Sequence, residues 1–335
     1  MYRLIRSLLF KLDPENAHYL TLQLMRLGGI QPLNALLRMI YAAPPKPVQA
    51  FGLTFRNPVG LAAGYDKDGI AVQGLSALGF GHIEVGTVTP RPQEGNPRPR
   101  VFRLVEDEAV INRMGFPGKG ADFVSLSLRG RPPQSNDTII GVNLGKNKDT
   151  PLEEAAGDYV ALMDIFAPLA DYLTINISSP NTVGLRRLQG REMLEELLGE
   201  VKRSRITNQW STPVLVKLAP DLTSEELDDA LGVILDTGMD GVIATNTTVS
   251  RPELRSRHQE ERGGLSGSPL RVCSEVMLEK IVRRIDGRIP VVSTGGIMSP
   301  GDAKRRLDMG AALVQVYTGL VYRGPGLVRE IIRSL

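Results

Sequence analysis

The first forty residues alternate apolar and polar positions at helical spacing. Apolar residues recur from Leu4 to Leu12, while Arg3 and Lys11 are among the polar residues on the opposite side. This pattern predicts an amphipathic helix at the start of the chain.

A second helix is predicted to begin directly after Asp13. Asp13 is a favourable N-cap, Pro14 suits the first helical position, and Glu15 places a negative charge near the helix N-terminus. The apolar periodicity continues from there to about Leu27.

A break in the helical pattern divides the chain into two units. A third short apolar stretch covers residues 33–41, and three prolines between positions 43 and 47 then end the pattern. The sequence therefore predicts a helical extension over residues 1–41 and a second unit over residues 42–335.

The second unit contains eight short apolar runs of the kind that form buried strands. Longer amphipathic stretches separate most of them, so strands are expected to alternate with helices. Eight repeats favour a closed (β/α)8 barrel over an open sheet. The predicted strands cover residues 59–63, 83–87, 139–143, 172–177, 214–218, 241–245, 290–294 and 313–317. The clearest helices cover residues 191–205, 224–237, 270–285 and 300–309.

In such a barrel the chemistry lies at the carboxyl ends of the strands. The first strand is followed by a glycine-rich segment in which Lys67 lies between Asp66 and Asp68. Small residues there would let a flat ligand approach the backbone. A glycine-rich turn with solvated charges is the alternative.

Glycines also follow the seventh and eighth strands, where barrels commonly bind phosphate. They are Gly295 and Gly296 after the seventh strand and Gly319 after Tyr317 and Thr318. Each group alone could be a simple turn. The two groups together indicate a phosphate-bearing cofactor. Because no Walker or G-x-G-x-x-G motif accompanies them, this cofactor is expected to be a mononucleotide.

Asparagines form the third group of residues at strand ends. Asparagine offers two donors and one acceptor without charge, so several around one cavity would suit a planar ligand such as a pyrimidine. Each one alone could equally be a turn or cap residue. The group comprises Asn112, Asn143, Asn176, Asn181 and Asn246.

Lys217 ends an otherwise apolar strand and is costly to bury without a partner. A flavin ring that gains negative charge on reduction would serve, and so would a carboxylate elsewhere in the barrel.

The composition of the chain further limits the kinds of site and the classes of protein to be considered. The single cysteine, Cys273, excludes an intramolecular disulfide and a cysteine-rich metal site. The three histidines lack metal-ligand spacing, and no metal site is predicted. The net charge of +3 and the pI of about 9.0 favour anionic ligands or surfaces only weakly. No apolar run approaches the ~20 residues that span a bilayer, and no signal peptide is expected.

Together these segments resemble the dihydroorotate dehydrogenase family, and within it the class 2, quinone-linked members. The resemblance covers almost the whole chain. It rests on residues 57–69, 86–92, 112–116, 141–151, 176–182, 217–221, 241–248, 263–269 and 295–297. It implies an FMN-dependent oxidoreductase, with one FMN per chain, that oxidises dihydroorotate to orotate in pyrimidine biosynthesis and reduces a membrane quinone. It also implies peripheral contact with the cytoplasmic side of the inner membrane, and no nucleic-acid partner.

The resemblance assigns roles to particular residues. Ser179 takes the place of the catalytic base, where class 1 relatives carry cysteine. The implied substrate contacts are Lys67, Asn112, Arg113, Met114, Gly115, Phe116, Asn176, Asn181, Asn246 and Thr247. The implied cofactor contacts are Ala63, Gly64, Tyr65, Asp66, Lys67, Thr87, Asn143, Asn176, Lys217, Thr245, Gly267, Gly296, Tyr317 and Thr318. The departures from the family pattern are mild: Arg262, Ser293 with Thr294, and Thr318.

In class 2 relatives a similar extension forms a hydrophobic passage for the quinone. Leu8, Leu9, Phe10 and Leu12 with their flanking basic residues would suit a helix at a membrane interface. Simple packing of these helices against the barrel is the alternative.

Three other functions remain in view. An RNA-modifying flavin barrel such as a dihydrouridine synthase would need a base-flipping surface and usually a basic C-terminal domain. A non-enzymatic membrane-docking barrel leaves the asparagines unexplained. A soluble NAD-linked dihydroorotate dehydrogenase is disfavoured by Ser179 and by the N-terminal extension.

Overall fold

The computed structural model describes residues 2–129 and 138–335. It begins with three helices, which are α1 (Tyr2–Leu9), α2 (Pro14–Leu27) and α3 (Leu33–Tyr41). The Asp13 carboxylate accepts hydrogen bonds from the backbone N–H groups of Glu15 and Asn16, at 3.0 and 3.1 Å. The predicted N-cap and the three predicted helices are therefore confirmed. None of the helices in the described part of the chain is long and apolar enough to cross a membrane.

A closed barrel of eight parallel strands follows, and it confirms the predicted fold. The observed strand ends differ from the predicted ones by at most two residues, because periodicity locates strands better than it locates their ends. In order around the barrel, and numbered along the chain, the strands are β3 (Val59–Leu61), β4 (His82–Val88), β7 (Ile139–Leu144), β8 (Tyr172–Asn176), β9 (Val214–Leu218), β10 (Gly241–Ala244), β12 (Val291–Thr294) and β13 (Leu313–Val316).

Nine further helices accompany the barrel in the described residues. They are α4 (Val72–Ser76), α5 (Gly120–Arg129), α6 (Ala155–Phe166), α7 (Arg191–Thr207), α8 (Ser224–Asp236), α9 (Arg271–Ile285), α10 (Pro300–Asp308), α11 (Thr318–Arg323) and α12 (Gly326–Ser334). At the start of α8 the Thr223 hydroxyl accepts from the Glu226 N–H, and the Glu226 carboxylate accepts from the Thr223 N–H. This reciprocal pair is a capping box.

A short hairpin, β1 (Val48–Ala50) and β2 (Leu53–Phe55), packs against the interior of the barrel. Buried Phe55 contacts a cluster that includes Tyr172 and Leu313. Each strand has three residues, which is too short for an alternating pattern to be recognised.

The two longest intervals between barrel strands hold a second small sheet. Its strands are β5 (Val101–Leu104), β6 (Ala109–Asn112) and β11 (Gly264–Gly267), joined in antiparallel register. The same two intervals also contain loops. The sheet places Asn112 directly opposite Gly264, so two distant segments meet beside the barrel mouth.

His82 lies fully buried in the barrel, edge-on to the Phe55 ring at 5.5 Å between ring centroids. Burial lowers the pKa of His82 to about 4, although the Glu84 carboxylate opposes this shift. Neither ring nitrogen has a hydrogen-bond partner within the described ranges 2–129 and 138–335. The neutral ring therefore acts here as an aromatic packing group.

His82→Leu should make the stability of the protein less sensitive to acid. An unfolded chain protonates His82 near pH 6.5, whereas the folded chain does so only near pH 4. The unfolded state therefore binds more protons in this window, and stability is lost as the pH falls through it. Between pH 6.5 and 4, the slope of the unfolding free energy should become shallower by up to about 1.4 kcal/mol per pH unit.

Urea unfolding at several pH values measures this slope. His258→Leu is the matched control, because His258 lies outside the barrel beside Phe102. Equal slopes in the two variants would contradict the prediction.

Candidate active site

A cavity of about 500 Å³ opens at the carboxyl ends of the barrel strands and continues between α1 and α2. Its inner part is lined by polar residues from the strand ends, and its outer branch is lined mainly by apolar residues of the extension. The barrel mouth and the extension therefore share one continuous space.

Four of the five predicted asparagines line the inner cavity: Asn112, Asn176, Asn181 and Asn246. Asn181 Nδ2 donates to the side-chain oxygen of Asn112, Oδ1, at 3.1 Å. The Asn246 amide donates to Asn176 Oδ1 at 3.4 Å and to the Ser178 hydroxyl at 3.0 Å. Amide side chains at or just after the ends of three strands, β6, β8 and β10, thus meet around one space.

Ser179 also lines this cavity, in the loop that follows β8. It is buried, with 5% of its surface exposed. Its Oγ accepts a hydrogen bond from the Asn181 N–H at 3.2 Å. The hydroxyl of nearby Thr182 is buried and has no hydrogen-bond partner among the described residues.

Lys67 lies on the cavity wall between its two acidic neighbours. Burial lowers the pKa of Lys67 to about 8, while the carboxylates of Glu15 and Asp68 oppose this shift. The ammonium group is therefore easier to deprotonate than that of a surface lysine, although its cationic form still predominates at neutral pH.

A buried carboxylate lies in the barrel, and the sequence reasoning missed it. Glu84 is fully buried on β4, and its Oε1 accepts from Asn143 Nδ2 at 2.7 Å and from Lys217 Nζ at 3.4 Å. Its Oε2 accepts from the side chains of Gln315, Tyr172 and Thr174. Burial raises the pKa of Tyr172 well above its usual range, and the Glu84 carboxylate adds to this shift. An acid between Ile83 and Val85 in an apolar strand was the available signal.

The carboxylate alternative for Lys217 is therefore observed. Lys217 also lines the cavity, so the side chain that contacts Glu84 borders the open space as well. Its pairing with Glu84 does not remove it from the cavity wall.

Three glycines from two segments form another wall of the inner cavity: Gly267, Gly295 and Gly296. A Cβ on Gly296 would lie 2.4 Å from the Arg271 Cα, and a Cβ on Gly267 would lie 2.3 Å from the Glu108 carbonyl oxygen. Both glycines also have positive φ angles. Larger residues are therefore disfavoured by the backbone conformation as well as by the collision of their Cβ atoms. Thr318 borders the same wall, and its hydroxyl is 2.9 Å from that of Ser266.

The outer branch combines apolar side chains with a few polar ones. Ile5, Leu9, Phe10, Ala17, Leu24 and Met25 line it. His18 stands edge-on to Tyr65, with 5.0 Å between the ring centroids. Burial, assisted by the Lys67 charge, lowers the pKa of His18 to about 3, so its imidazole is neutral at physiological pH. Tyr65 is in turn packed edge-on against Tyr317, at 6.0 Å.

Three of the predicted contact residues are not on the cavity wall. The Asp66 carboxylate caps its own loop by accepting from the N–H groups of Ile70 and Ala71. Arg113 turns away and pairs with Glu261 at 2.6 Å. Asn143 is fully buried. Its Nδ2 donates to the Glu84 carboxylate, and its Oδ1 accepts from the Thr87 hydroxyl and from Asn176 Nδ2. These three residues can support the site, but their side chains do not line it.

The other predicted contacts lie on the cavity wall. They are Ala63, Gly64, Tyr65, Lys67, Thr87, Asn112, Met114, Gly115, Phe116, Asn176, Ser179, Asn181, Lys217, Thr245, Asn246, Thr247, Gly267, Gly296, Tyr317 and Thr318. They come from most of the length of the chain.

Comparison with known proteins gives the family. The sequence profile described as dihydroorotate dehydrogenase matches residues 47–335. The chain therefore belongs to the dihydroorotate dehydrogenase family. Curated relatives named dihydroorotate dehydrogenase (quinone) include one from Roseiflexus, 50% identical over all of this chain and 93% of its own length. Another, from Acidithiobacillus ferrooxidans, is 51% identical over all of this chain and 94% of its own length.

Solved structures of family members agree with the fold. The DHODH of Eimeria tenella in complex with ferulenol has a TM-score of 0.86 and 39% sequence identity, covering 96% of this chain and 90% of that chain. The ligand-free protein from the same organism gives a TM-score of 0.86 and 40% identity, covering 96% and 94%. The predicted resemblance to the quinone-linked dihydroorotate dehydrogenases and the predicted oxidoreductase class are confirmed.

Proposed function

We propose that the protein oxidises dihydroorotate to orotate in pyrimidine biosynthesis, using FMN as cofactor and a membrane quinone as electron acceptor. The observation that carries this proposal is the placement of Ser179 in one buried cavity with four asparagines and Lys67. The names of the curated relatives support the same activity.

The polar residues of the inner cavity match the groups of the substrate. Dihydroorotate has a ring with alternating carbonyl and N–H groups, and asparagine amides can both donate to and accept from such groups. Lys67 supplies a positive charge for the substrate carboxylate. Thr247 lies beside Asn246 on the same wall. We assign substrate binding to these residues together with Asn112 and the neighbouring segment from Met114 to Phe116.

The rest of the inner cavity fits FMN. A Cβ on either Gly267 or Gly296 would collide with protein backbone atoms, so glycine at these positions lets the backbone segments that form this wall pack closely beside the proposed phosphate site. The residues that would hold FMN are Ala63, Gly64, Thr87, Asn176, Lys217, Thr245, Gly267, Gly296, Tyr317 and Thr318. When bound, FMN supplies the acceptor for the hydride that leaves C6 of the substrate.

Ser179 performs the proton transfer in this proposal by accepting the proton from substrate C5. A serine hydroxyl is a weak base, so the site must stabilise negative charge on its oxygen. The Asn181 N–H already donates to Ser179 Oγ at 3.2 Å, and this contact favours the charged form of the oxygen. We assign the onward transfer to the unpaired hydroxyl of Thr182 or to water.

The outer branch is suited to a quinone. Its apolar wall would bind the isoprenoid tail, and the neutral imidazole of His18 could hydrogen-bond to a quinone oxygen. Tyr65 and Tyr317 lie between this branch and the barrel mouth. Two substrates could therefore approach the same cofactor from different sides.

A visible spectrum of the purified protein tests the function directly. Flavin absorbance should be present, and anaerobic addition of dihydroorotate should bleach it. Adding a quinone should then restore the absorbance, whereas NAD⁺ should not. A colourless protein that does not take up FMN, or a flavin that only NAD⁺ reoxidises, would contradict the proposal.

We also propose that the extension contacts a membrane surface. Large apolar side chains on α1–α3 are exposed, among them Leu4 at 74%, Leu8 at 65% and Met39 at 70%. Arg3 and Lys11 lie near α1 and could interact with anionic lipid headgroups. The outer branch of the cavity lies directly beneath these helices, so a quinone could pass from the bilayer into the protein.

The double variant Leu4→Asp with Leu8→Asp should bind anionic phospholipid vesicles at least about tenfold more weakly. Burying one leucine contributes about 1.5–3 kcal/mol, and 1.4 kcal/mol corresponds to a factor of ten. Co-sedimentation measures the binding. Ile206→Asp on α7 is the matched control, because Ile206 is 66% exposed. Equal vesicle binding by the two proteins would refute membrane contact through α1.

A further inference from the structure

One guanidinium group joins three loops at the barrel mouth. Arg186 Nε donates to the Ser178 carbonyl oxygen at 3.0 Å, and Nη2 donates to the Thr247 carbonyl oxygen at 2.9 Å. Nη1 donates to the Asp221 carboxylate at 2.7 Å. The loops that follow β8, β9 and β10 are thereby held by a single side chain.

The contact with Ser178 bears directly on Ser179. The Ser178 carbonyl belongs to the peptide unit whose nitrogen is that of Ser179, and a peptide unit is planar and rigid. Fixing this oxygen therefore restricts the plane from which the Ser179 side chain projects. The Ser178 hydroxyl donates to Asn176 Oδ1 at 3.0 Å, so the residue before Ser179 is held at both its backbone and its side chain.

The contact with Thr247 holds a second segment of the cavity wall. Thr247 follows Asn246, whose side-chain oxygen accepts from the Thr247 N–H at 2.8 Å. Asp221 also accepts from the Thr248 hydroxyl and from the Val249 N–H. The Asp221 carboxylate therefore binds both Arg186 and the loop after β10.

The segment that carries Arg186 is itself well anchored. Arg186 lies on a short 3₁₀ helix, Leu185–Gln189, whose Leu185 and Leu188 are buried. Gln189 accepts from the Ala219 N–H at 2.9 Å. Val183, at the tip of the same loop, is 89% exposed. The loop is therefore anchored through its 3₁₀ helix and exposed at Val183. Ser179 lies near the start of this loop, close to the end of β8.

We propose that Arg186 is a positioning residue for proton removal by Ser179. Its planar fork of donors holds the Ser178–Ser179 peptide and the Thr247 backbone at the separation needed to face one substrate ring. Lysine cannot replace it, because the three N–H donors of an ammonium group share one nitrogen and cannot reproduce the planar fork of three donor nitrogens. This inference rests on the proposed role of Ser179 as the base.

The test compares Arg186→Lys with Arg187→Lys in the FMN-loaded protein. Arg187 is the neighbouring exposed arginine on the same turn. Stopped-flow measurement of flavin reduction by saturating dihydroorotate should show a rate about 100-fold lower in Arg186→Lys, since small misplacements of reacting groups have effects of this size. Arg187→Lys should match the unaltered protein. The FMN dissociation constant should be the same in all three.

Isotope effects separate positioning of the base from a general loss of structure. In Arg186→Lys, deuterium at substrate C5 should slow flavin reduction more than it does in the unaltered protein, while the effect of deuterium at C6 should not grow. In Arg186→Ala, added guanidinium ion at non-denaturing concentration should restore part of the rate.

Three outcomes would overturn the proposal. They are equal reduction rates in Arg186→Lys and Arg187→Lys, a loss of FMN binding that accounts for the lost rate, and an unchanged C5 isotope effect. The proposed function fails separately, if dihydroorotate does not reduce the flavin of the unaltered protein.

Discussion

Ser179→Ala is expected to slow flavin reduction by dihydroorotate by about 10²- to 10⁴-fold, which is the usual contribution of a positioned general base. FMN should remain bound, because the glycine wall at Gly267 and Gly296 and the Lys217 side chain are separate from the serine loop. Anaerobic stopped-flow spectroscopy measures the rate, and the visible spectrum measures the FMN content.

Ser179→Cys is the informative companion variant. It retains a group that can accept a proton, and an ordinary thiol has a pKa of about 8.5. Its rate should exceed that of Ser179→Ala and rise with pH as the thiol ionises. A Ser179→Ala protein that reduces its flavin within tenfold of the unaltered rate would remove Ser179 from the role of base.

Glu84→Gln is expected to lower the free energy of unfolding by about 3–5 kcal/mol, the range seen when one partner of a buried ion pair is removed. The substitution leaves the Lys217 ammonium without its buried counter-charge. It also turns an amide N–H₂ toward groups that are themselves donors, such as Gln315 Nε2 at 2.9 Å from the carboxylate. Urea unfolding at saturating FMN measures the change.

Two further variants give this prediction its control. Asp308→Asn breaks the exposed pair with Lys304 at 2.8 Å and should cost less than about 1 kcal/mol. Combining Glu84→Gln with Lys217→Met should cost less than the sum of the two single changes, because the second removes the stranded charge. Additive effects, or a Glu84→Gln loss as small as that of Asp308→Asn, would show that the pair is not coupled.

Much of the barrel could be predicted because its signals are local. An apolar run identifies a buried strand without knowledge of its partners, and the residues that cap α2 and α8 lie within three positions of the helix start. The rule that barrel chemistry lies at the strand ends then brings distant asparagines together before any coordinates are known. This rule correctly placed Asn176, Asn181 and Asn246 around one cavity, whereas Asn112 reaches the same cavity from the small antiparallel sheet.

The direction in which each side chain points could be predicted less well from the sequence. Asp66, Arg113 and Asn143 lie in the predicted segments, yet their side chains point into the loop, away from the cavity and into the buried network, respectively. Sequence motifs identify segments, whereas the direction of each side chain depends on the partners that surround it.

The sequence alone determined the helical extension, the eight strands, their order along the chain and the kinds of polar residue at their ends. These features follow from periodicity, capping and residue chemistry within short windows. Only the tertiary structure decided that Glu84 is the partner of Lys217 and that Arg186 joins three loops. It also decided that His18 is neutral beside Lys67. Lys217 and Glu84 are 133 positions apart, and Arg186 lies 35 and 61 positions from Asp221 and Thr247. Burial and charge at these contacts, and at His18 beside Lys67, therefore depend on closure of the barrel.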